Sequence, residues 1–270
     1  MLRIGSVPYL NAKPLVDWFH SAECDVDVEI IYAVPSKLAQ MLRDGELDVA
    51  NVSIFESFQN PRLVLIPNIS ISATGAVKSV RLFSKMPLSE LKTVALDTSS
   101  LTSVALTKIL LREVFRVEPD YHHHAPDINE MLRHYDAGLI IGDLKLFDLL
   151  SATQSYDLGL GWFDLTGLPF VYAAWLAREE SLSKELVETL HRAKVWGVAR
   201  REALAELWAE RMSLPLERSR DYLLNVMDYD LGEKHLEGLL LYQEKCYHHG
   251  LISELFDLKS VAISSMIASA

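Results

Sequence analysis

The sequence has few cysteines and no long apolar run, and each absence argues against a class of protein. Its two cysteines, Cys24 and Cys246, lie far apart and match no metal-binding spacing. A disulfide between them is one alternative, and a reduced cytoplasmic protein is the simpler interpretation. No run approaches the roughly 18 apolar residues that a membrane-spanning helix needs, so we expect no association with a membrane.

Positive charge is also scarce. Lysine and arginine number 26 against 37 aspartates and glutamates, which gives a formal charge of −11. We expect no nucleic-acid partner, because basic patches supply most of the affinity for nucleic acid. A small anionic ligand is still compatible with this composition, since a local cleft can be positive on an acidic protein. The N-terminus lacks the pattern of a secretion signal, which again favours the cytoplasm.

Strand and helix patterns alternate through the first half of the chain. Half of the 270 residues are apolar, which is enough for one large or two modest domains. Strand-like segments are followed by amphipathic helical segments at 2–8, 12–20, 26–34, 36–45 and 47–53. This order predicts parallel crossovers and an α/β sheet. A second unit with the same alternation begins at residue 91.

Two segments resemble each other. "MLRDGELDVANVS" begins at Met41, and "MLRHYDAGLIIGD" begins at Met131. Three identical residues are compatible with chance, but the match also fits two similar α/β domains that share a cleft. Ser53 and Asp143 would then lie at equivalent strand exits, where open α/β sheets bind their ligands.

The remaining pattern predicts two lobes with a discontinuous first lobe. After residue 176 the sequence is helical almost to its end, and two segments near 80–86 and 172–177 would connect the lobes. We therefore assign 1–84 and 176–270 to the first lobe, together with the C-terminal helices, and 85–175 to the second. A ligand is expected between them.

Five phrases in the same order resemble a known family. They are "VPYLNAKPL", "LRDGELDVANVS", "ATGAVKSVRLFSK", "ALDTSSLTSVALTKILL" and "DLTGLPFVYAAW", and the match runs over roughly residues 3–177. The chain is identified from them as a member of the menaquinone biosynthesis family of the futalosine pathway. The resemblance implies the two-lobed fold of type II periplasmic binding proteins.

The resemblance is strongest to the members that dehydrate chorismate. It implies a hydro-lyase that converts chorismate to 3-[(1-carboxyvinyl)oxy]benzoate without a cofactor, as a monomer or homodimer. One alternative is the sister activity, 1,4-dihydroxy-6-naphthoate synthase, whose members open with a cysteine–proline–asparagine–aspartate phrase where this chain has "PYLNAKP". The other is a non-catalytic protein that binds a small anionic metabolite, since a fold does not assign a function.

Asn11 and Ser79 are the predicted catalytic residues. The resemblance implies that both face the substrate, with Tyr9 beside Asn11 and with Gly75 allowing a close backbone approach. Each has a structural alternative. Asn11 precedes Pro14 and could be the N-cap of a helix, and Ser79 could be an ordinary polar residue of a strand.

The segment "DTSSLTS" is the predicted anion site. A strand ends there and a helix begins, so N–H groups, the helix dipole and the hydroxyls of Thr98, Ser99, Ser100 and Thr102 would hold a carboxylate. Plain helix capping is the alternative, and it needs only one of these hydroxyls.

The last predicted contacts are less specific. Asp143 could contact the substrate or only cap the helix that follows, and a carboxylate would repel a dianionic substrate. Phe170 is expected to line the cleft. His122 and His124 alternate on a predicted strand, but no second ligand motif accompanies them, so we expect no metal site.

Overall fold

In the computed structural model, described over residues 1–97, 99–142 and 154–258, ten strands form two five-stranded sheets. The first sheet contains β1 (Leu2–Ser6), β2 (Val28–Tyr32), β3 (Val49–Ser53), β4 (Leu63–Ala73) and β10 (Phe170–Arg178). The second contains β5 (Val80–Ser84), β6 (Thr93–Asp97), β7 (Asp120–His124), β8 (Ala137–Ile141) and β9 (Gln154–Asp157). The predicted α/β architecture with two lobes is confirmed.

The two sheets are built to one plan. Their strand orders are β2-β1-β3-β10-β4 and β7-β6-β8-β5-β9. In each sheet the first three strands are parallel, and the fourth is antiparallel to both of its neighbours. The segments that begin at Met41 and Met131 lead into β3 and β8, which hold the central position of their sheets. The similarity between those segments therefore has a counterpart in the topology.

The helices cover the sheets and the C-terminal part of the chain. They are α1 (Lys13–Val16), α2 (Pro35–Arg43), α3 (Phe55–Gln59), α4 (Leu101–Glu113), α5 (Ile128–His134), α6 (Leu158–Thr166), α7 (Lys184–Ala199), α8 (Arg201–Met212), α9 (Leu216–Asp221) and α10 (Glu233–His248). A π-helical turn, Tyr222–Val226, follows α9. Among the described residues, no helix combines the length and the apolar character needed to cross a bilayer.

The connections between the sheets lie a few residues before the predicted boundaries. β5 pairs with β8 and β9 in the second sheet, and β10 pairs with β3 and β4 in the first. The chain therefore crosses between the sheets at 74–79 and 167–169, whereas the sequence placed the boundaries at 84 and 176. The hydrophobic pattern locates a strand but does not say which sheet it joins.

The C-terminal helices are not confined to the first lobe. The hydroxyl of Tyr242 in α10 donates to the carbonyl of Thr102 in α4, at 2.9 Å. At the other end of α10, Lys245 pairs with Glu113 at 2.6 Å. Because α4 packs on the second sheet, α10 bridges the two lobes, and only α7 to α9 fit the predicted assignment.

The helix α7 packs directly on α1 through a glycine. A Cβ atom on Gly197 would lie 1.9 Å from the carbonyl oxygen of Pro14, a distance that no real contact allows. The missing side chain therefore lets the two helices approach closely. The position of α1, and of the short turn before it, depends on this contact.

Gly197→Ala should destabilise the protein. Alanine normally stabilises a helix interior by up to about 1 kcal/mol relative to glycine, but here its methyl group would push α1 away at a cost of roughly 1–3 kcal/mol. The midpoint of urea unfolding measures the difference. Val195→Ala, at a position of the same helix that is 69% exposed, is the matched control and should change little. A midpoint for Gly197→Ala at or above that of the unchanged protein would contradict the close contact.

Candidate functional site

A cleft lies between the two sheets, where the carboxyl ends of β1, β3 and β8 converge. It holds about 600 Å³ of empty space, including its open mouth. Its polar lining consists of Tyr9, Asn11, Asn51, Ser53, Ser79, Ser100, Ser103 and Tyr172. None of the described residues that line the cleft carries a formal charge, so it offers hydrogen bonds and dipoles to a ligand.

Asn11 is not a helix cap. It lies in a 3-10 turn, Leu10–Ala12, and the residue that caps α1 is Ala12, without a side-chain hydrogen bond. The side-chain Nδ2 of Asn11 instead donates to the hydroxyl of Tyr222 at 3.3 Å, and its Oδ1 is buried without a partner in the described part of the chain. The capping alternative is therefore wrong, because the described hydrogen bond of the Asn11 side chain goes to Tyr222 and not to a backbone N–H of α1.

Ser79 meets the same tyrosine from the other side. It lies just before β5 on the first crossing between the sheets, and only 2% of its surface is exposed. Its Oγ is 2.7 Å from the hydroxyl of Tyr222. Asn11, Tyr222 and Ser79 thus form one continuous hydrogen-bonded row at the cleft, which the sequence did not reveal.

Tyr222 is held in place by its neighbours. Lys78 and Asp221 form an ion pair that ties the first crossing to the end of α9. The carboxylate of Asp157 accepts hydrogen bonds from the backbone N–H groups of Val77 and Lys78, at 3.0 and 2.7 Å. Burial raises the pKa of Tyr222 to about 12, so its hydroxyl keeps its proton at neutral pH.

The predicted anion site has a different hydrogen-bond pattern from the one expected. The hydroxyl of Ser99 donates to Asp97, which is itself fully buried. The hydroxyl of Ser100 caps α4 by accepting from the backbone N–H of Ser103, at 3.2 Å. These side chains are therefore engaged within the protein. What α4 presents to the cleft is its amino end. Thr98 lies outside the described residues.

Thr102 connects the two lobes at the cleft. Its hydroxyl donates to the backbone carbonyl of Tyr172 at 3.1 Å and also contacts the hydroxyl of Ser53. Ser53 ends β3 in the first sheet, whereas Thr102 is in α4 beside the second. Ser53 therefore lines the cleft as predicted, and Asp143, its counterpart in the sequence comparison, lies outside the described residues.

Tyr172, and not Phe170, reaches the cleft. Phe170 is 1% exposed and packs among Trp162, Tyr172 and Tyr242 in the core. The register of β10 against β4 shifts between Val171 and Ala173, which makes Tyr172 the extra residue of a β-bulge. Such a bulge redirects a side chain. The hydroxyl of Tyr172 is buried without a hydrogen-bond partner among the described residues.

Asn51 is a second polar residue that sequence reasoning missed. It lies in β3 and is 1% exposed, and neither its Nδ2 nor its Oδ1 has a partner among the described residues. A buried amide without partners is destabilising, so it is suited to bind polar groups of a ligand. The available signal was a polar residue inside the apolar run "LDVANVS".

Of the two residues predicted to accompany Asn11 and Ser79, Tyr9 lies in the cleft and Gly75 lies outside it. Tyr9 lines the cleft, and its ring lies 3.3 Å from where a Cβ atom on Gly142 would be. Burial raises the pKa of Tyr9, and the nearby Asp97 carboxylate adds to the effect. Gly75 adopts a left-handed φ of 85°, and its carbonyl packs against Gly159 instead of lining the cleft.

The histidines of β7 are not part of this site. His122 and His124 both contact the ring of Tyr135. Within the described ranges, no group of three or more histidine, cysteine, aspartate or glutamate residues is arranged to hold a metal ion.

Comparisons with known proteins agree with one another. A family model described as menaquinone biosynthesis matches residues 2–248. The chain is 34% identical over 260 residues to a chorismate dehydratase of Thermus thermophilus, covering 89% of this chain and 93% of the relative. It is 27% identical over 250 residues to a chorismate dehydratase of Campylobacter jejuni, covering 90% and 96%.

Solved structures support the fold. A protein from Archaeoglobus fulgidus superposes with a TM-score of 0.77 at 19% identity, covering 93% of this chain and 98% of that one. The periplasmic aliphatic sulphonate binding protein SsuA from Escherichia coli superposes with a TM-score of 0.67 at 18% identity, covering 95% of both. The expected periplasmic-binding-protein-like fold is confirmed, and with a family match over nearly its whole length the chain belongs to the menaquinone biosynthesis family.

Proposed function

We propose that this protein is a chorismate dehydratase, which eliminates water from chorismate to give 3-[(1-carboxyvinyl)oxy]benzoate. The observation that carries the proposal is the 34% identity to the Thermus thermophilus enzyme over 260 residues. The cleft between the lobes supports it, because its lining offers hydrogen bonds for a small polar molecule.

The reaction makes three demands on the cleft. It must hold a substrate with two carboxylates. A proton leaves C3 and the charge spreads through the diene towards the ring carboxylate, so that charge needs hydrogen-bond donors. The hydroxyl on C4 then departs with a proton and the ring becomes aromatic, which requires a donor at the leaving oxygen.

The row of Asn11, Tyr222 and Ser79 can supply that donor. Since Nδ2 of Asn11 donates to the Tyr222 oxygen, the Tyr222 proton is available to Ser79 Oγ. The Ser79 proton is then available to the leaving oxygen of the substrate. Asn11 Oδ1 has no partner among the residues that the structure describes and can accept the hydrogen bond that the substrate hydroxyl donates. Ser79 and Asn11 are thereby assigned catalytic roles, and Tyr222 positions both.

Neutral groups hold the carboxylates in this proposal. The amide of Asn51 and the hydroxyls of Ser53 and Tyr172 line the cleft. The amino end of α4, a helix of 13 residues, adds backbone N–H groups and the positive end of the helix dipole. These groups bind an anion by hydrogen bonds and need no ion pair.

The base is assigned to the substrate itself. A protein carboxylate placed beside the C3 proton would also lie beside the two negative charges of chorismate and repel them. The enolpyruvyl carboxylate is already tethered near C3, and a tethered group reacts as if it were highly concentrated. It takes the C3 proton and afterwards returns it to Ser79 Oγ, which replaces the proton that Ser79 gave to the leaving oxygen. The protein orients the carboxylate through neutral donors.

Incubation of the purified protein with chorismate tests the function. The expected outcome is loss of the cyclohexadiene absorbance and formation of one aromatic product, identified by its mass, which is one water lighter than that of chorismate. Tight binding of chorismate without any product would instead favour a non-catalytic binding protein.

Substitutions test the hydrogen-bonded row. Asn11→Ala and Ser79→Ala should each lower kcat by roughly a hundredfold or more, the usual loss for a proton donor or oxyanion-stabilising group. Tyr222→Phe should lower kcat less, because it leaves Ser79 in the cleft but misorients it. The matched control is Tyr229→Phe. Tyr229 is also buried and lies just after the π-helical turn, but its hydroxyl has no partner among the described residues. Near-normal turnover in both alanine variants would refute the assigned roles.

A chorismate analogue with the enolpyruvyl carboxylate replaced by a carboxamide tests the base. The analogue should bind, as measured by protection against thermal unfolding, but its dehydration should be undetectable under conditions where chorismate is fully converted. Dehydration of the analogue at the rate of chorismate would show that a protein group removes the proton.

A further inference from the structure

A second pocket lies on the outer side of α1, away from the cleft. It holds about 1170 Å³ of empty space, including its wide mouth. Pro8 lines it, whereas the next residue, Tyr9, lines the cleft. The segment that carries Asn11 therefore separates two distinct cavities. The function proposed above uses only the inner one.

Lys13 is the unusual residue of this pocket. Its surface is only 3% exposed, and its ammonium lies 3.6 Å from the centre of the Trp208 ring and 5.1 Å from that of Tyr32. No described residue accepts a hydrogen bond from Nζ, and no described carboxylate lies within 4.0 Å of it. Burial lowers the pKa of Lys13, and the nearby carboxylate of Asp17 opposes that effect. Apart from the faces of the Trp208 and Tyr32 rings, the N–H donors of Nζ thus have no described acceptor.

The charges around Lys13 do not cancel. Arg211 also stacks on Trp208, at 5.3 Å, and lines the same pocket. The one acidic residue among the described lining residues is Asp17, which accepts a hydrogen bond from the indole N–H of Trp208 through one oxygen. Its other oxygen is buried and has no hydrogen-bond partner among residues 1–97, 99–142 and 154–258. With two cations and one anion, the pocket is complementary to a single negative charge.

Apart from His20 and Ser21, the rest of the lining is aromatic or aliphatic. Trp196, Trp208 and Tyr32 present aromatic rings, and Leu204 and Leu207 complete the wall. Leu207 is 38% exposed and so is accessible to a ligand. Aromatic surfaces of this kind favour a planar apolar molecule, because ring stacking adds to the burial of apolar surface.

We propose that this pocket binds an aromatic carboxylate, with its ring between the tryptophans and its carboxylate on Lys13 and Arg211. The carboxylate supplies the acceptor that the buried ammonium lacks, in a charge-assisted hydrogen bond. The ring covers the apolar wall. Binding here is separate from the chemistry of the cleft and does not depend on the proposed activity.

The test uses 2-naphthoate as the probe and naphthalene-2-carboxamide as its uncharged counterpart. Binding to the intact protein is followed by the indole N–H resonances of Trp196 and Trp208 in ¹H–¹⁵N spectra, since both residues line the outer pocket and neither lines the cleft. We expect 2-naphthoate to shift these two resonances and to bind at least tenfold more tightly than the carboxamide.

Variants assign the effect to the pocket. Lys13→Met keeps the apolar stem without the charge and should weaken 2-naphthoate binding at least tenfold. Arg211→Gln, at an exposed position, provides the same comparison if Lys13→Met does not fold. Lys37→Met, at an exposed lysine of α2, is the matched control and should bind like the unchanged protein. Equal affinities for acid and amide, unchanged Trp196 and Trp208 resonances, or undiminished binding by both pocket variants would each overturn the proposal.

Discussion

The hydroxyl of Tyr222 joins three parts of the chain that are far apart in sequence. It meets Asn11 across 211 residues and Ser79 across 143. One of these residues follows the first strand, one lies on the crossing between the sheets, and the tyrosine itself comes from a π-helical turn after α9. π-helical turns are often found at functional sites. Because the hydroxyl is fully buried, these partners satisfy it only when the whole chain has folded. The geometry of the cleft is thus a property of the complete fold and not of either sheet alone.

Much of this arrangement could be predicted from the sequence, and the limits have physical causes. The alternation of strands and helices predicted two α/β units. The similarity between the segments at Met41 and Met131 agrees with the equivalent strand orders of the two sheets. Ser53 could be found because polar residues at strand exits face the cleft in this architecture, whereas Asn11 and Ser79 were predicted from the resemblance to the family. Phe170 was misplaced because a β-bulge at Tyr172 changes the alternation of β10, and a bulge leaves no signal in the pattern of apolar residues. Tyr222 could not be found because its partners are set by tertiary contacts.

The described polar residues of the cleft are neutral, whereas the unpaired buried cation of the described structure, Lys13, lies on the opposite side of α1. The two cavities therefore handle anions in different ways. The cleft offers amides, hydroxyls and the amino end of α4, all held rigidly by the surrounding core. The outer pocket offers two cations on aromatic rings. The close contact between Gly197 and Pro14 fixes the short segment that forms the wall between them.

The neutral lining has a consequence for the end of the catalytic cycle. In the proposed reaction, chorismate and its product carry the same two carboxylates, so the cleft cannot bind one more tightly than the other on the basis of total charge. The cleft must therefore distinguish them by shape and hydrogen bonding. The puckered ring of chorismate carries a hydroxyl that can bond to Asn11 and Ser79, whereas the flat aromatic ring of the product has no hydroxyl at that carbon. Departure of the product breaks no ion pair with the described lining residues, and what must yield are contacts that join the lobes, among them those of Thr102 with Ser53 and Tyr172. The pace of turnover would then depend on how readily the lobes part.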